Sequence, residues 1–203
     1  MKHLMKPLSR NQVDDLASVL VENLRYCDPS IEYPNVESAK SDDGVIAEWF
    51  YPIYAGANDF SELSAILIYT SQEAKYEELG ELFLGIGLTE MKHYGKLGEF
   101  IKALGGKVKP HYDTKEVKIG NDILQALQIS KEGEEKTIKF YEELLAKIAK
   151  VQETETTIIA TQFINKLIAD ERVHLKLLND AISDQMKVEV IDETAEEITD
   201  GKE

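Results

Sequence analysis

Hydrophobic side chains recur every three or four residues along four long stretches of the sequence, the spacing of an α-helix with one apolar face. Strand-like patterns are limited to short segments at residue 108 and residues 188–191. The pattern therefore predicts an all-α protein whose four long helices form one bundle. We expect the first helix to start near Asn58 or Asp59, the second to end at Gly105-Gly106, the third to start at Asn121 or Asp122, and the fourth to follow residues 154–157.

The sequence on either side of the bundle has a different character. Residues 1–57 form a head with one amphipathic helix, after which prolines and glycines predict irregular structure up to residue 57. The bundle is expected to span residues 58–184. Residues 185–203 are acidic and poor in large apolar side chains, which predicts a solvated, disordered tail.

The connection between the second and third helices, residues 105–121, is too long for a tight turn between antiparallel neighbours. A bundle with short loops throughout runs up, down, up and down. One long central connection instead predicts two helical hairpins joined by a crossover.

Two copies of Glu-x-x-His carry the candidate chemistry: Glu90 with His93 and Glu171 with His174. Residues three apart share a helical face, so each pair can ligate one metal ion. Both pairs align with the apolar stripe of their helix, where an unpaired carboxylate would cost several kcal/mol of desolvation. A dinuclear carboxylate centre needs one further Glu from each of the other two helices.

On the first helix the choice lies between Glu62 and Glu73. The midpoint of Glu62 and Glu90 is Tyr76, in a polar stretch where the chain can reverse, so Glu62 is the better candidate. On the third helix Glu132, Glu134 and Glu135 compete, and only Glu134 shares the apolar stripe. Its midpoint with Glu171 also falls in an expected turn, between residues 152 and 153.

The two hairpins repeat one pattern. Glu62 is followed seven residues later by Tyr69, and Glu134 is followed seven residues later by Tyr141. Each tyrosine is either a core residue or a hydrogen-bond partner of a ligand carboxylate. Asp170 is either an exposed helix acid or an acceptor for the free N–H of an imidazole.

With these motifs in this order, the chain resembles the ferritin-like superfamily, in particular its rubrerythrin-like and manganese-catalase-like branches. The resemblance covers roughly residues 58–184 and rests on residues 61–69, Glu90 to His93, Glu134 with Tyr141, and residues 170–174. It implies a ferritin-like four-helix bundle with two iron or manganese ions at a non-haem centre. The family handles hydrogen peroxide, dioxygen or ferrous ion, often as homodimers or larger homo-oligomers, and its enzymes can need an external electron donor.

The resemblance assigns six metal ligands, which are Glu62, Glu90, His93, Glu134, Glu171 and His174. Glu90 and Glu171 are the expected bridges. Thr137 stands where rubrerythrins typically carry one more carboxylate, and the Cys-x-x-Cys module that they often carry is absent from this sequence. The set thus looks more like manganese catalase or a ferritin-type ferroxidase centre, with iron and manganese both open.

Charge and cysteine content narrow the function classes. A net charge of -15 argues against binding to nucleic acid or an anionic membrane. Cys27 is the only cysteine, which excludes intrachain disulfides, thiolate zinc sites and a Cys-x-x-Cys iron module within this sequence. No apolar run has the length of a membrane span, and the first residues lack a signal-peptide pattern, so a cytoplasmic location is expected. Three functions remain: an oxidoreductase acting on peroxide or dioxygen, a protein that oxidises and stores ferrous ion, and a metal-free helical interaction module.

Overall fold

The computed structural model describes residues 25–39, 45–56, 58–108 and 117–200, with side chains described up to residue 187. These residues form five α-helices and no strand. The helices are α1 (Val45–Ala55), α2 (Glu62–Lys75), α3 (Gly80–Ala103), α4 (Ile123–Ile148) and α5 (Glu155–Asp200). The predicted all-α fold is confirmed, and α2 to α5 are the four long helices of the bundle.

The helices pair as two hairpins, α2 with α3 and α4 with α5. The first hairpin turns at Tyr76 and a 3-10 turn over Glu77–Leu79, where the midpoint of Glu62 and Glu90 predicts it. The second turns between Ile148 and Glu155, again around the predicted midpoint. Two antiparallel hairpins place ligands at equal distances from their turns side by side.

The start of α2 corrects one expected boundary. Ser61 is the N-cap, because its hydroxyl accepts a hydrogen bond from the backbone N–H of Ser64 at 3.3 Å. Asn58, expected near the helix start, instead accepts from the N–H of Phe60 at 3.0 Å within the preceding turn. The helix therefore begins at Glu62 itself.

Helix α1 corrects a second expectation, since the sequence predicted irregular structure in this part of the head. Pro52 lies inside α1 and removes one backbone donor there. Burial of Phe50 stabilises the helix all the same. Its ring packs edge-on against Phe100 of α3 at 5.2 Å, and Phe100 stacks on Phe163 of α5 at 4.6 Å.

The end of the chain also differs from the expected pattern, because the backbone of α5 continues to Asp200. The predicted head helix, before residue 25, lies outside the described residues. The division into head, bundle and tail stays a prediction.

The end of the crossover is fixed to the turn of the first hairpin. Gly120 has a φ of 87°, and its carbonyl accepts hydrogen bonds from Lys75 Nζ at 2.7 Å and from the Tyr76 hydroxyl at 2.9 Å. Gln72 of α2 donates to the carbonyl of Ala126 in α4 at 3.0 Å. These contacts set the register of α4 against α2.

Two apolar clusters fill the bundle, one on each side of a polar layer. One cluster contains Phe50, Phe100 and Phe163, and the other contains Phe83 and Leu127. None of the helices within the described residues combines the length and apolar content that crossing a lipid bilayer requires.

Candidate metal centre

The polar layer consists of six side chains from all four bundle helices. Each of the six is between 0% and 4% exposed, so the layer is closed to bulk water. Helix α2 contributes Glu62 and α4 contributes Glu134, while α3 and α5 each contribute a Glu and a His on one face. The structure thus brings together every residue that the sequence nominates as a ligand: Glu62, Glu90, His93, Glu134, Glu171 and His174.

The six residues form two overlapping groups, and in each group four potential ligand atoms lie within 4.8 Å of one another. We call the first group the His93 half and the second the His174 half. Two glutamates, Glu90 and Glu171, belong to both halves. The His93 half is completed by Glu62 and the His174 half by Glu134.

The shared glutamates divide their oxygens between the two halves. The Nδ1 atom of His93 lies 3.2 Å from Glu90 Oε2 and 3.2 Å from Glu171 Oε1. The Nδ1 atom of His174 lies 2.9 Å from Glu90 Oε1 and 3.0 Å from Glu171 Oε2. Each shared carboxylate therefore presents one oxygen to each imidazole, which is the arrangement that a bridge between two cations requires.

Glu62 and Glu134, which we call the terminal glutamates, lie slightly farther from the imidazole nitrogens than the shared glutamates do. Glu62 Oε2 is 3.6 Å from Nδ1 of His93, and Glu134 Oε1 is 3.6 Å from Nδ1 of His174. Both distances leave room between nitrogen and oxygen, as expected when two ligand atoms face one ion. The two halves are closely similar in this inner geometry.

The outer nitrogens of the imidazoles have different partners. His93 Nε2 lies 3.2 Å from Asp170 Oδ2, a side chain of α5. His174 Nε2 lies 2.9 Å from the backbone carbonyl of Tyr26, which precedes the bundle. A carbonyl oxygen only accepts hydrogen bonds, so Nε2 of His174 carries a proton, and Nδ1 is the nitrogen whose lone pair would bind a metal once the ring is neutral.

Asp170 is itself fixed by two donors. Its Oδ1 atom accepts from Lys166 Nζ at 2.7 Å and from the backbone N–H of Asp28 at 2.7 Å. Burial opposes ionisation of Asp170, but the hydrogen bond and charge of His93, with the hydrogen bonds from Lys166 and from the Asp28 backbone, hold its pKa below the ordinary value. Asp170 is therefore an ionised acceptor for His93.

Two tyrosines connect the hairpins. The Tyr69 hydroxyl of α2 donates to Glu134 Oε1, and the Tyr141 hydroxyl of α4 donates to Glu62 Oε1. Burial raises the pKa of both phenols well above the ordinary value, so both remain protonated donors. Each terminal glutamate is thus held by the tyrosine of the other hairpin.

Burial and neighbouring charges shift the pKa values of the terminal and the shared glutamates in opposite directions. Burial and the nearby Glu90 carboxylate raise the pKa of Glu62 well above the ordinary value, and burial with Glu171 and Glu90 does the same for Glu134. Burial also opposes ionisation of the shared pair. The imidazoles nevertheless hold the pKa of Glu90 well below, and that of Glu171 below, the ordinary value.

The imidazoles are shifted in the complementary direction. Burial disfavours a charged ring, but Tyr33 and the carboxylates of Glu171 and Glu90 raise the pKa of His93 well above its ordinary value. The pKa of His174 is also raised, since its close contacts with the carboxylates of Glu134, Glu171 and Glu90 outweigh its burial. Without metal, protons on the two imidazoles and the two terminal glutamates therefore balance the charge that bound cations would otherwise balance.

The donor set fits a pair of divalent ions. Within the centre, one buried oxygen each of Glu62, Glu90 and Glu171 has no hydrogen bond of good geometry, although an imidazole nitrogen lies near each of them. Such atoms are costly in a protein interior unless a charge satisfies them. Carboxylates combined with neutral imidazoles suit iron or manganese.

The structure also places the remaining candidates. Tyr69, Tyr141 and Asp170 all contact ligand residues, as described above. Of the rejected alternatives, Glu132 and Glu135 are exposed and Glu73 is half-buried. Thr137 is buried and donates to the carbonyl of Phe60 at 3.0 Å, so it occupies its site as a structural hydrogen-bond donor.

Sequence reasoning missed three residues around the centre. Tyr26 contributes only a backbone carbonyl to His174, and no side-chain pattern marks that role. Lys166 stands four residues before Asp170, so helical spacing could have revealed their pairing. Tyr33 has a buried hydroxyl with no hydrogen-bond partner, and its electrostatic neighbours include His93 and Asp170.

Comparisons with known proteins identify the family of the fold. A family model described as a ferritin-like domain matches residues 62–187. The chain is similar to the solved structure of a Rhodobacter capsulatus bacterioferritin described as having a metal-free dinuclear site and haem iron, with 25% identity and a TM-score of 0.58 over 71% of this chain and 86% of that one.

A second similar structure is that of ferritin-like, diiron-carboxylate proteins from Bacillus anthracis. The identity is 27% and the TM-score 0.57, over 70% of this chain and 99% of that one. No curated protein sequence matches this chain significantly.

Proposed function

Because the chain belongs to the ferritin-like domain family, we propose that it is a dinuclear non-haem metal protein that reacts with hydrogen peroxide or dioxygen. The proposed ligands are Glu62 and His93 for one ion, Glu134 and His174 for the other, and Glu90 and Glu171 for both. The single observation that carries the proposal is the division of the two shared carboxylates, each with one oxygen toward each imidazole.

Iron is the favoured metal, because the similar structures are described as dinuclear or diiron proteins. Manganese suits the same oxygen and nitrogen donors and is the alternative. A pair of such ions would supply two electrons, which together with two protons reduce one molecule of hydrogen peroxide to two molecules of water.

The protein's own residues prepare the centre. Asp170 and the Tyr26 carbonyl hold the outer N–H of the two imidazoles, which aims the lone pair of each Nδ1 at the cluster. Tyr141 holds Oε1 of Glu62 and leaves Oε2, which faces His93, free to bind. Tyr69 holds Oε1 of Glu134, the oxygen that faces His174, and so orients that carboxylate toward the cluster. The two apolar clusters on either side exclude bulk water from the layer.

Metal analysis tests the ligand assignment. We expect about two ions of iron or manganese per chain after anaerobic loading, and a large loss in the Glu90→Ala, His174→Ala double variant. Glu135→Ala, an exposed substitution on α4, is the matched control and should keep both ions. Fewer than one ion per chain in the loaded parent would count against any redox role and favour the metal-free interaction module.

Turnover then separates the reactions. A peroxidase consumes peroxide only with a reductant, which implies an external electron donor, whereas a catalase consumes it without one. The storage alternative requires a large shell of subunits, so size-exclusion chromatography after iron loading distinguishes it from a homodimer or small homo-oligomer.

A further inference from the structure

The contacts on the outer side of the metal centre converge on one short segment, through Tyr26 and Asp28, with Cys27 between them. Tyr26 and Cys27 are buried although they precede the bundle helices. The Tyr26 carbonyl accepts from His174 Nε2, and the Asp28 N–H donates to Asp170, which accepts from His93 Nε2. We call residues 26–28 the strap.

We propose that the strap is a positioning element of the metal centre, which fixes both imidazoles through their outer nitrogens and thereby sets the affinity for metal. The inference rests on the proposed function. The inference extends the proposed function to the strap, which lies outside residues 62–187, the part of the chain that matches the family model.

Several contacts hold the strap on the bundle. The Tyr26 hydroxyl donates to the carbonyl of Glu81 at 3.2 Å. Lys166 Nζ donates to the Asp28 carbonyl at 2.6 Å and to Asp170 Oδ1 at 2.7 Å, so one buried ammonium links the strap to the acceptor of His93. Asp28 Oδ1 accepts from the N–H of Ser30 at 2.8 Å, which closes the following turn.

The strap acts on the two halves through different routes. Its contact with His174 is direct and involves only a backbone carbonyl, so its strength depends on where the backbone lies. Its contact with His93 passes through Asp170, which Lys166 holds independently. Moving the strap should therefore disturb the His174 half more than the His93 half.

Gly85 of α3 offers a way to move the strap without touching a ligand. The Tyr26 ring packs so closely on Gly85 that a Cβ atom there would lie 2.2 Å from Cε2 and Cζ of the ring. An alanine at position 85 must therefore push Tyr26 away. At Gly95 of the same helix, a Cβ atom would meet no other atom within 4 Å, so Gly95→Ala is the matched control.

The test uses the full chain and Co²⁺ as the metal probe, with affinities measured by chelator competition. We expect Gly85→Ala to lower the affinity for the ion of the His174 half by about tenfold or more, the range seen when partners of metal-bound histidines are lost. The second ion should bind nearly as in the parent. Gly95→Ala should bind both ions like the parent.

A spectroscopic readout separates positioning from general destabilisation. In the Zn²⁺-loaded, ¹⁵N-labelled protein, the Nε2 proton of His174 should give an imidazole N–H signal that shifts or disappears in Gly85→Ala. The corresponding signal of His93 should be retained. Equal loss of both signals, with a lowered melting temperature, would indicate a merely structural role and overturn the inference.

A double-mutant cycle keeps the test decisive if Gly85→Ala fails to fold. Tyr26→Ala removes the ring that anchors the strap and should weaken the same ion, and adding Gly85→Ala to it should have little further effect. Normal binding of both ions by a folded Gly85→Ala or Tyr26→Ala variant would overturn the inference. A parent that binds no metal would instead refute the proposed function.

Discussion

The two halves of the candidate metal centre have closely similar contacts at the inner nitrogen of each histidine, Nδ1, and different contacts at the outer nitrogen, Nε2. Each half combines a terminal Glu, a His and the same two shared carboxylates, and the nitrogen-to-oxygen distances correspond closely. Outside, His93 faces the ionised Asp170, whereas His174 faces a neutral peptide carbonyl. The repeated hairpins produce the likeness, and the residues packed around them produce the difference.

That difference has a chemical consequence. A carboxylate acceptor makes the opposite imidazole nitrogen a more basic ligand than a carbonyl acceptor does. Two ions held by otherwise matching donors should therefore differ in affinity. We expect the ion of the His93 half to be the more tightly bound of the two.

The largest expected effect separates shared ligands from terminal ones. Glu171→Ala removes a carboxylate common to both halves and should abolish tight binding of both ions. Glu134→Ala should remove only the ion of the His174 half. Metal analysis after gel filtration checks both, with the exposed Glu132→Ala as control. Loss of a single ion from Glu171→Ala would break the assignment of a shared bridge.

The response to pH should involve both halves together. Without metal, the folded-state pKa values of His93 and His174 are raised above 6.5 and those of Glu62 and Glu134 above 4.5. The folded state then holds more protons than the unfolded state, so the free energy of unfolding should fall as the pH rises above about 6.5.

Bound metal should reverse that slope, since its ligands must lose their protons and binding strengthens as the pH rises. Urea unfolding between about pH 6 and pH 9, with EDTA and with excess Mn²⁺, checks the prediction. Parallel slopes in the two series would contradict it.

Asp170→Asn tests the outer difference directly. The neutral amide is a weaker acceptor for His93 and leaves the buried Lys166 without its anionic partner. We expect the ion of the His93 half to bind about 10–100-fold more weakly, while the ion of the His174 half is little changed. Chelator competition measures both affinities. Equal weakening of both ions would show that the halves are not independent.

The tyrosines should give smaller, crossed effects. Tyr141→Phe frees Glu62 of the His93 half, whereas Tyr69→Phe frees Glu134 of the His174 half. Each change should weaken its own half by about tenfold, the lower end of the effect expected from the loss of one hydrogen bond to a charged group. Comparing the two variants by the same competition assay checks the crossed pattern, which would be refuted if each tyrosine affected its own helix's glutamate.

The smallest expected effect is a change in stability at Tyr33, a residue that lies near His93. Its buried hydroxyl has no hydrogen-bond partner, so Tyr33→Phe should stabilise the metal-free protein by about 1 kcal/mol. Thermal unfolding measures the change. Destabilisation instead would show that the hydroxyl has a partner, such as a bound water.

Much of the fold and of the centre follows from helical periodicity. The spacing of apolar residues predicted the four bundle helices, and the equal distances of Glu62 and Glu90 from Tyr76 predicted the first turn. Helix α1 was not predicted, because Pro52 signals a break and only burial against Phe100 and Phe163 makes the helix favourable. Local propensity did not contain that information.

The sequence by itself determined which six side chains could meet, since residue spacing on a helix fixes the face on which each one lies. Only the tertiary structure decided which groups contact the outer nitrogens of the two histidines among them. The acceptor for His174 is a backbone carbonyl 148 residues away in the chain. Every residue carries the same carbonyl, so only the folded path of the chain selects the one at Tyr26.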